Sequence, residues 1–228
     1  MPNVWTKDLI KVHRTGKSEV IALRGLDMQV ADAEFVAVRG PSGCGKTTLL
    51  NLVGGIDRPT AGRIEVDGAN IVDFAEADLV RYRRNQVGFV FQFFNLVPTL
   101  TAEENIQLPM RLAGKPAAEL GRRTQELLQL VGLEKRAVHR PDELSGGEQQ
   151  RIAIAVSLAN DPPLLLADEP TGELDTKTGA EVLDLFRRLN RDLHKTIIVV
   201  THDERVAKIA HRILQIEDGK IVGELPGA

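Results

Sequence analysis

A chain of 228 residues with 43% hydrophobic content can bury a substantial core, which excludes wholesale disorder and fits one domain with a sizeable insertion. A net charge of −3 argues against nucleic acid as a partner, and the densest basic cluster, Arg81-Tyr82-Arg83-Arg84, reads as a solvated helix face. The single cysteine, Cys44, excludes intrachain disulfides, and no apolar run approaches the roughly 18 residues that span a bilayer.

Met1 to Asp8 lack the apolar core of a signal peptide, so the expected location is cytoplasmic, with any membrane spans supplied by another chain. From Val4 to Val30 short apolar stretches predict two or three antiparallel strands around a loop from His13 to Lys17. Phe35 to Arg39 reads as a buried strand. Gly62 to Gly68 alternates and ends on Asp67-Gly68, a strand-and-turn signal. A helix is expected over Glu76 to Arg84, then a strand over Val87 to Phe91 closed by Gln92.

The middle changes character. Thr101 and Glu104 form a capping box that opens a helix, expected to kink or restart at Pro109. Pro116 to Val131 is a second helix, ending at Gly132, and a third begins near Ser145. These features predict a helical subdomain over residues 93–160, set on a nucleotide-binding core of residues 1–92 and 161–228. Strands and helices then alternate. Leu164 to Asp168 and Thr196 to Thr201 are buried strands. Thr176 to Leu193 is an amphipathic helix with Val182, Phe186, Leu189 and Leu193 inward, a further helix starts near Asp203, and a hairpin crosses Asp218-Gly219.

The chemistry is densest in Gly40-Pro41-Ser42-Gly43-Cys44-Gly45-Lys46-Thr47, with Thr48 following. Its spacing is G-x-x-x-x-G-K-[ST], between a predicted strand and a predicted helix. Glycines there let backbone N–H groups surround phosphate oxygens, and the helix start adds its partial positive charge. Lys46 would reach the β- and γ-phosphates and Thr47 would ligate Mg²⁺, which implies a nucleoside triphosphate site. Cys44, beside Lys46 and a helix start, is expected to be a reactive thiol if accessible. Asp168 and Glu169 stand at the exposed end of a predicted strand. Asp168 is placed to hold Mg²⁺ directly or through water, and Glu169 to polarise an attacking water; an acidic loop capping the next helix is the plainer alternative. Ser145-Gly146-Gly147-Glu148 is a second capping box, with two glycines whose cost in a first turn the cap alone does not explain. It reads as a second anion site.

With these motifs in hand, nearly the whole chain resembles the ATP-binding cassette (ABC) ATPases. Leu144 to Arg151 matches that family's signature, and the phosphate loop, Gln92, Asp168-Glu169 and His202 follow in the family's order. The resemblance implies a P-loop α/β core with an antiparallel β subdomain and an inserted helical subdomain. It also implies a Mg²⁺-dependent ATPase that closes as a head-to-tail dimer, with Ser145 and Gly147 of one copy on ATP held by the other. Gln92 would then sense Mg²⁺ and the attacking water, His202 would contact the γ-phosphate, and Asp175 would lie in the loop communicating across the dimer. His13 occupies the position where many members stack a tyrosine on adenine. Glu173 stands where asparagine is common in the macrolide-export, lipoprotein-releasing and FtsE-like group that the chain looks most like, with no evident catalytic consequence. The implied partners are a second copy and a transmembrane permease; a regulatory switch that hydrolyses ATP without transport stays open as the alternative. Of the clustered phenylalanines, Phe89 and Phe91 are expected in the core, while Phe93 and Phe94 either join it or form an exposed pair for a partner helix.

Overall fold

The computed structural model describes residues 3–16 and 18–227. Two long antiparallel strands, β1 (Val4–Thr15) and β2 (Ser18–Val30), open the chain. The turn between them is shorter than the expected loop: β1 runs through Thr15, His13 pairs with Val20 on the strand, and Lys17 lies outside the described residues. Next come β3 (Phe35–Arg39), α1 (Lys46–Val53), β4 (Ala61–Val66), β5 (Ala69–Asn70), α2 (Glu76–Gln86) and β6 (Val87–Val90). Asp67 and Gly68, both at positive φ, make the tight turn from β4 to β5.

Three helices follow: α3 (Ala102–Leu112), α4 (Ala117–Val131) and α5 (Gly146–Ser157). α3 runs across Pro109 rather than restarting there. The proline sits near the helix end, so little helix follows the lost N–H, while buried Ile106 and Met110 hold the turns on either side. The chain finishes with β7 (Leu164–Asp168), α6 (Thr176–Arg191), β8 (Thr196–Thr201), the single turn α7 (Glu204–Ala207), β9 (Arg212–Glu217) and β10 (Lys220–Pro226). In α6, Val182, Phe186 and Leu189 are fully buried as the periodicity requires; Leu193 lies past the helix end and is 48% exposed.

One sheet has the order β2-β1-β4-β5 and is antiparallel. The other has the order β10-β9-β3-β8-β7-β6, parallel except for β10 at its edge. Near-continuous apolar runs in β3, β7 and β8 suit strands covered on both faces, and alternation divides their side chains. Phe35, Ala37, Leu165, Ala167, Ile197 and Val199 join the core shared with the helices α3 to α6. Val36, Val38, Leu164, Leu166, Ile198 and Val200 face α1 and the first sheet, meeting Leu49, Leu50, Leu9, Leu23 and Leu26. Because β3, β6, β7 and β8 are parallel, their carboxyl ends gather along one rim, where ligands collect in such sheets.

Candidate active site

Gly40 to Gly45 form the turn between β3 and α1. Gly45 starts α1 at φ 104°, and a Cβ there would lie 2.5 Å from the carbonyl oxygen of Ala22, so no other residue fits. No side chain caps α1 and its first turn has no acid, which leaves its N–H groups for an anion. Lys46 Nζ folds back to donate to the carbonyls of Gly40 (2.8 Å) and Pro41 (2.9 Å). Pro41, Ser42, Gly43 and Thr47 are exposed, and Thr48 is half-buried on the first turn. Cys44 corrects the expectation of a reactive thiol. It is 6% exposed and packs with Val36, Val38 and Ile216, because the loop turns its side chain under the phosphate cradle into the core.

The Thr47 hydroxyl lies close enough to the Asp168 carboxyl to act on it. Burial raises that carboxyl above the ordinary carboxylate range and the charge of Glu169 adds to it, while the Thr47 hydroxyl and the Lys46 charge oppose. A hydroxyl and a half-buried carboxylate this close are hard oxygen donors, and a divalent cation would offset the negative charge there; the pair fits Mg²⁺.

Glu169 is held at φ 43°, a strained setting for a side chain with a Cβ, at the end of β7. Its carboxylate accepts from Thr201 Oγ1 (2.8 Å) and from the His202 N–H (3.2 Å), and it faces His202 Nδ1 at 2.9 Å. Gln92, just past β6, donates from Nε2 to Glu173 Oε1 at 3.1 Å. The rim thus unites the phosphate loop, Asp168, Glu169, His202 and Gln92.

Ser145 to Glu148 lie elsewhere. Ser145 caps α5: its Oγ accepts from the Glu148 N–H (3.3 Å), and Glu148 Oε2 accepts from the Ser145 N–H (2.8 Å) and hydroxyl (2.9 Å). Glu148 Oε1 takes a 2.8 Å bond from Arg136 Nε. Gly147 is required by close packing, since a Cβ there would lie 2.0 Å from Thr178 Cγ2 on α6. Gln150 ties α5 to the Pro170 carbonyl at 2.9 Å. Asp175 caps α6, accepting from the N–H groups of Lys177 (3.0 Å) and Thr178 (3.1 Å). His13 is exposed on β1. Among the described residues, no hydrogen bond joins Ser145–Glu148 or His13 to the phosphate loop. Phe89 and Phe91 stack at 4.4 Å; Phe89 packs half-buried against the core as expected, Phe91 is only partly buried, and Phe93 is 67% exposed beside a half-buried Phe94.

Sequence reasoning assigns no role to three residues of this network, Glu173 among them though its place in the motif is noted. Thr201 could have been found as the polar end of an apolar strand. Arg136 bears no periodic relation to Glu148, and Glu173 is separated from Gln92 by 81 positions.

A glycine cradle ahead of a parallel sheet, with carboxylates at the neighbouring strand ends, defines a P-loop nucleotide hydrolase. Residues 23–172 match the ABC transporter family, and the chain belongs to that family. It is 50% identical over 216 residues to an uncharacterised ABC transporter ATP-binding protein of Thermotoga maritima, covering 95% of this chain and 92% of the relative. It is 45% identical over 200 residues to the lipoprotein-releasing system ATP-binding protein LolD of Bacteroides fragilis, covering 88% and 93%. The ADP- and Pi-bound dimeric structure of the ATP-binding cassette MJ0796 of Methanocaldococcus jannaschii, in a post-hydrolysis state, superposes with a TM-score of 0.91 at 42% identity, covering 98% of each chain. Macrolide-export and lipoprotein-releasing proteins stand among its relatives, the group that the motifs resemble. The chain is an ATP-binding, ATP-hydrolysing subunit of this family.

Proposed function

We propose that two copies of this chain close head to tail around two ATP molecules and thereby drive a membrane permease partner from the cytoplasmic face. The observation that carries this reading is the separation, within one chain, of two exposed glycine-bearing helix starts, one open to phosphate by itself and one able to add to an anion held elsewhere. Ser42 and Thr47 are exposed at one and Ser145 at the other, with no hydrogen bond between the two among the described residues. Two copies facing in opposite senses bring each start to the other's. The dimeric state of the MJ0796 structure supports the same arrangement, and the lipoprotein-releasing system to which LolD belongs supports a membrane setting. Among the described residues no helix is long and apolar enough to cross a membrane, so the partner would supply the spans.

In this reading residues 93–160 are the helical subdomain that carries Ser145, Gly146, Gly147 and Glu148 to the partner copy's ATP. Residues 1–92 and 161–228 are the core that holds it. The loop from Gly40 to Thr48 would surround the phosphates, with His13 toward adenine. Thr47, Asp168 and Gln92 would hold Mg²⁺, which would supply positive charge against the charge gathering on the phosphates. Glu169 would accept a proton from the attacking water, and His202, bonded to it, would contact the γ-phosphate.

Glu169→Gln tests both halves. ATP should still bind while hydrolysis falls by roughly 10²- to 10⁴-fold, the usual worth of a general base. Sedimentation should then show monomer without nucleotide and dimer with ATP, because a ligand that binds the pair better must drive pairing. Adding Ser145→Arg should return the protein to monomer while ATP binding survives. A Glu169→Gln protein that stays monomeric at saturating ATP would refute the head-to-tail closure.

A further inference from the structure

Gln92 and Glu173 meet because β6 and β7 are parallel neighbours. Val90 pairs with Ala167, so the chain leaves the two strands at the same level, toward Gln92 on one side and Glu169 on the other. The segment beyond Glu169 turns back, with the Gly172 N–H on the Glu169 carbonyl at 3.0 Å. A Cβ on Gly172 would lie 3.7 Å from Gln92 Nε2 and 3.6 Å from Glu169 Cβ. The Gln92 amide therefore sits beside the residue whose carboxylate faces His202.

The contact with Glu173 selects which end of that amide is engaged. An ionised carboxylate only accepts, so the amide atom 3.1 Å from Glu173 Oε1 is the NH₂ group. The carbonyl oxygen of Gln92 makes no hydrogen bond among the described residues and is the free end. An amide at position 173 would not make this selection, because it can donate to one end of Gln92 or accept from the other. Carbonyl oxygen is also the atom that a hard divalent cation takes as a ligand.

We propose that Glu173 is a positioning residue for hydrolysis: by holding Gln92 Nε2 it fixes the amide with its carbonyl oxygen presented to the cation and water at the Thr47–Asp168 pair. This rests on the reading of Gln92 as an oxygen ligand given above. Glu173 is exposed, so the contact adds little to stability and its effect lies in orientation.

The test compares wild type with Gln92→Ala, Glu173→Ala, Glu173→Gln and the Gln92→Ala/Glu173→Ala double variant. Mn²⁺ binding is read by electron paramagnetic resonance with a non-hydrolysable ATP analogue, alongside the Mg²⁺ and ATP dependence of hydrolysis. Gln92→Ala should weaken Mn²⁺ binding. Glu173→Ala should weaken it by roughly three- to tenfold, the scale of one ordinary solvent-exposed hydrogen bond, with the KM for ATP unchanged. Glu173→Gln should fall between it and wild type, and the double variant should match Gln92→Ala alone. Mn²⁺ binding weakened by Gln92→Ala but untouched by Glu173→Ala overturns the positioning role and leaves Gln92 its own. Binding untouched by Gln92→Ala removes both. A Glu173→Ala protein that hydrolyses ATP faster than wild type would make the contact a restraint, which also overturns the proposal.

Discussion

α1 begins on Gly45 in the left-handed region, with no capping side chain and no acid in its first turn. α5 begins on Ser145 in an extended conformation, with a complete capping box and Glu148 in its first turn. Both are glycine-bearing helix starts, yet only the first leaves its N–H groups unanswered and sets an ammonium, Lys46, beside them. The second carries its own anion, Glu148, offset by Arg136. The difference teaches that one end is made to bind phosphate by itself, while the other is finished without a ligand and can add only to an anion already held elsewhere.

The comparison breaks most visibly at Lys46. Among the described residues its ammonium touches loop carbonyls and the Cys44 sulfur alone, so Lys46→Ala should leave the melting curve near wild type. Removing a charge-assisted phosphate contact should cut ATP affinity by roughly 10- to 100-fold, the scale of 1.5–3 kcal/mol. Calorimetry showing unchanged affinity would mean that the α1 end works without it. At the other end, Ser145→Ala should lower stability by about 1 kcal/mol, the usual worth of an N-cap, and leave one-sided ATP affinity unchanged. A loss of monomer ATP affinity there would show that the two ends are not independent.

A smaller effect follows from acid. The Ser145 N–H, with its hydroxyl and Arg136, holds the Glu148 carboxyl below its ordinary value of 4.5. A depressed carboxyl stabilises the fold above its unfolded value and loses that contribution as pH falls through the folded one. Thermal melts of wild type should therefore drop below about pH 4.5 by more than those of Glu148→Gln; parallel curves would sink the assignment. The smallest expected effect concerns Cys44. Buried under the loop, it should react with maleimide slowly, at a rate that ATP hardly changes. Fast labelling blocked by ATP would put the sulfur in the mouth of the cradle.

The phosphate loop was legible because its chemistry is contiguous: eight successive residues between two periodic segments leave few other structures. Strands such as Leu164–Asp168 were legible because apolar runs covered on both faces have no polar positions to confuse the pattern. Contacts between residues distant in the sequence were not. Nothing local pairs Gln92 with Glu173, or Arg136 with Glu148, since each pair depends on which strand lies beside which and on how a loop returns. The restart expected at Pro109 failed for a different reason. The rule against proline concerns the backbone, and here buried Ile106 and Met110 outweigh it. Cys44 shows the same limit, because a motif gives a side chain's place in a loop but not the direction in which it points.

The turn between β9 and β10 bears on how the ATP site comes into being as the chain is made. The Gly219 N–H donates to the Cys44 carbonyl at 3.1 Å, and the Gly219 carbonyl accepts from the Arg24 N–H at 3.0 Å. β3, which leads into the loop, lies between β8 and β9. The phosphate loop thus leaves the ribosome before the segments that brace it on both flanks and from behind. A nascent chain stalled before residue 196 carries the full nucleotide motif without the strands that hold its shape, so its ATP site should form only after residues 196–219 have followed.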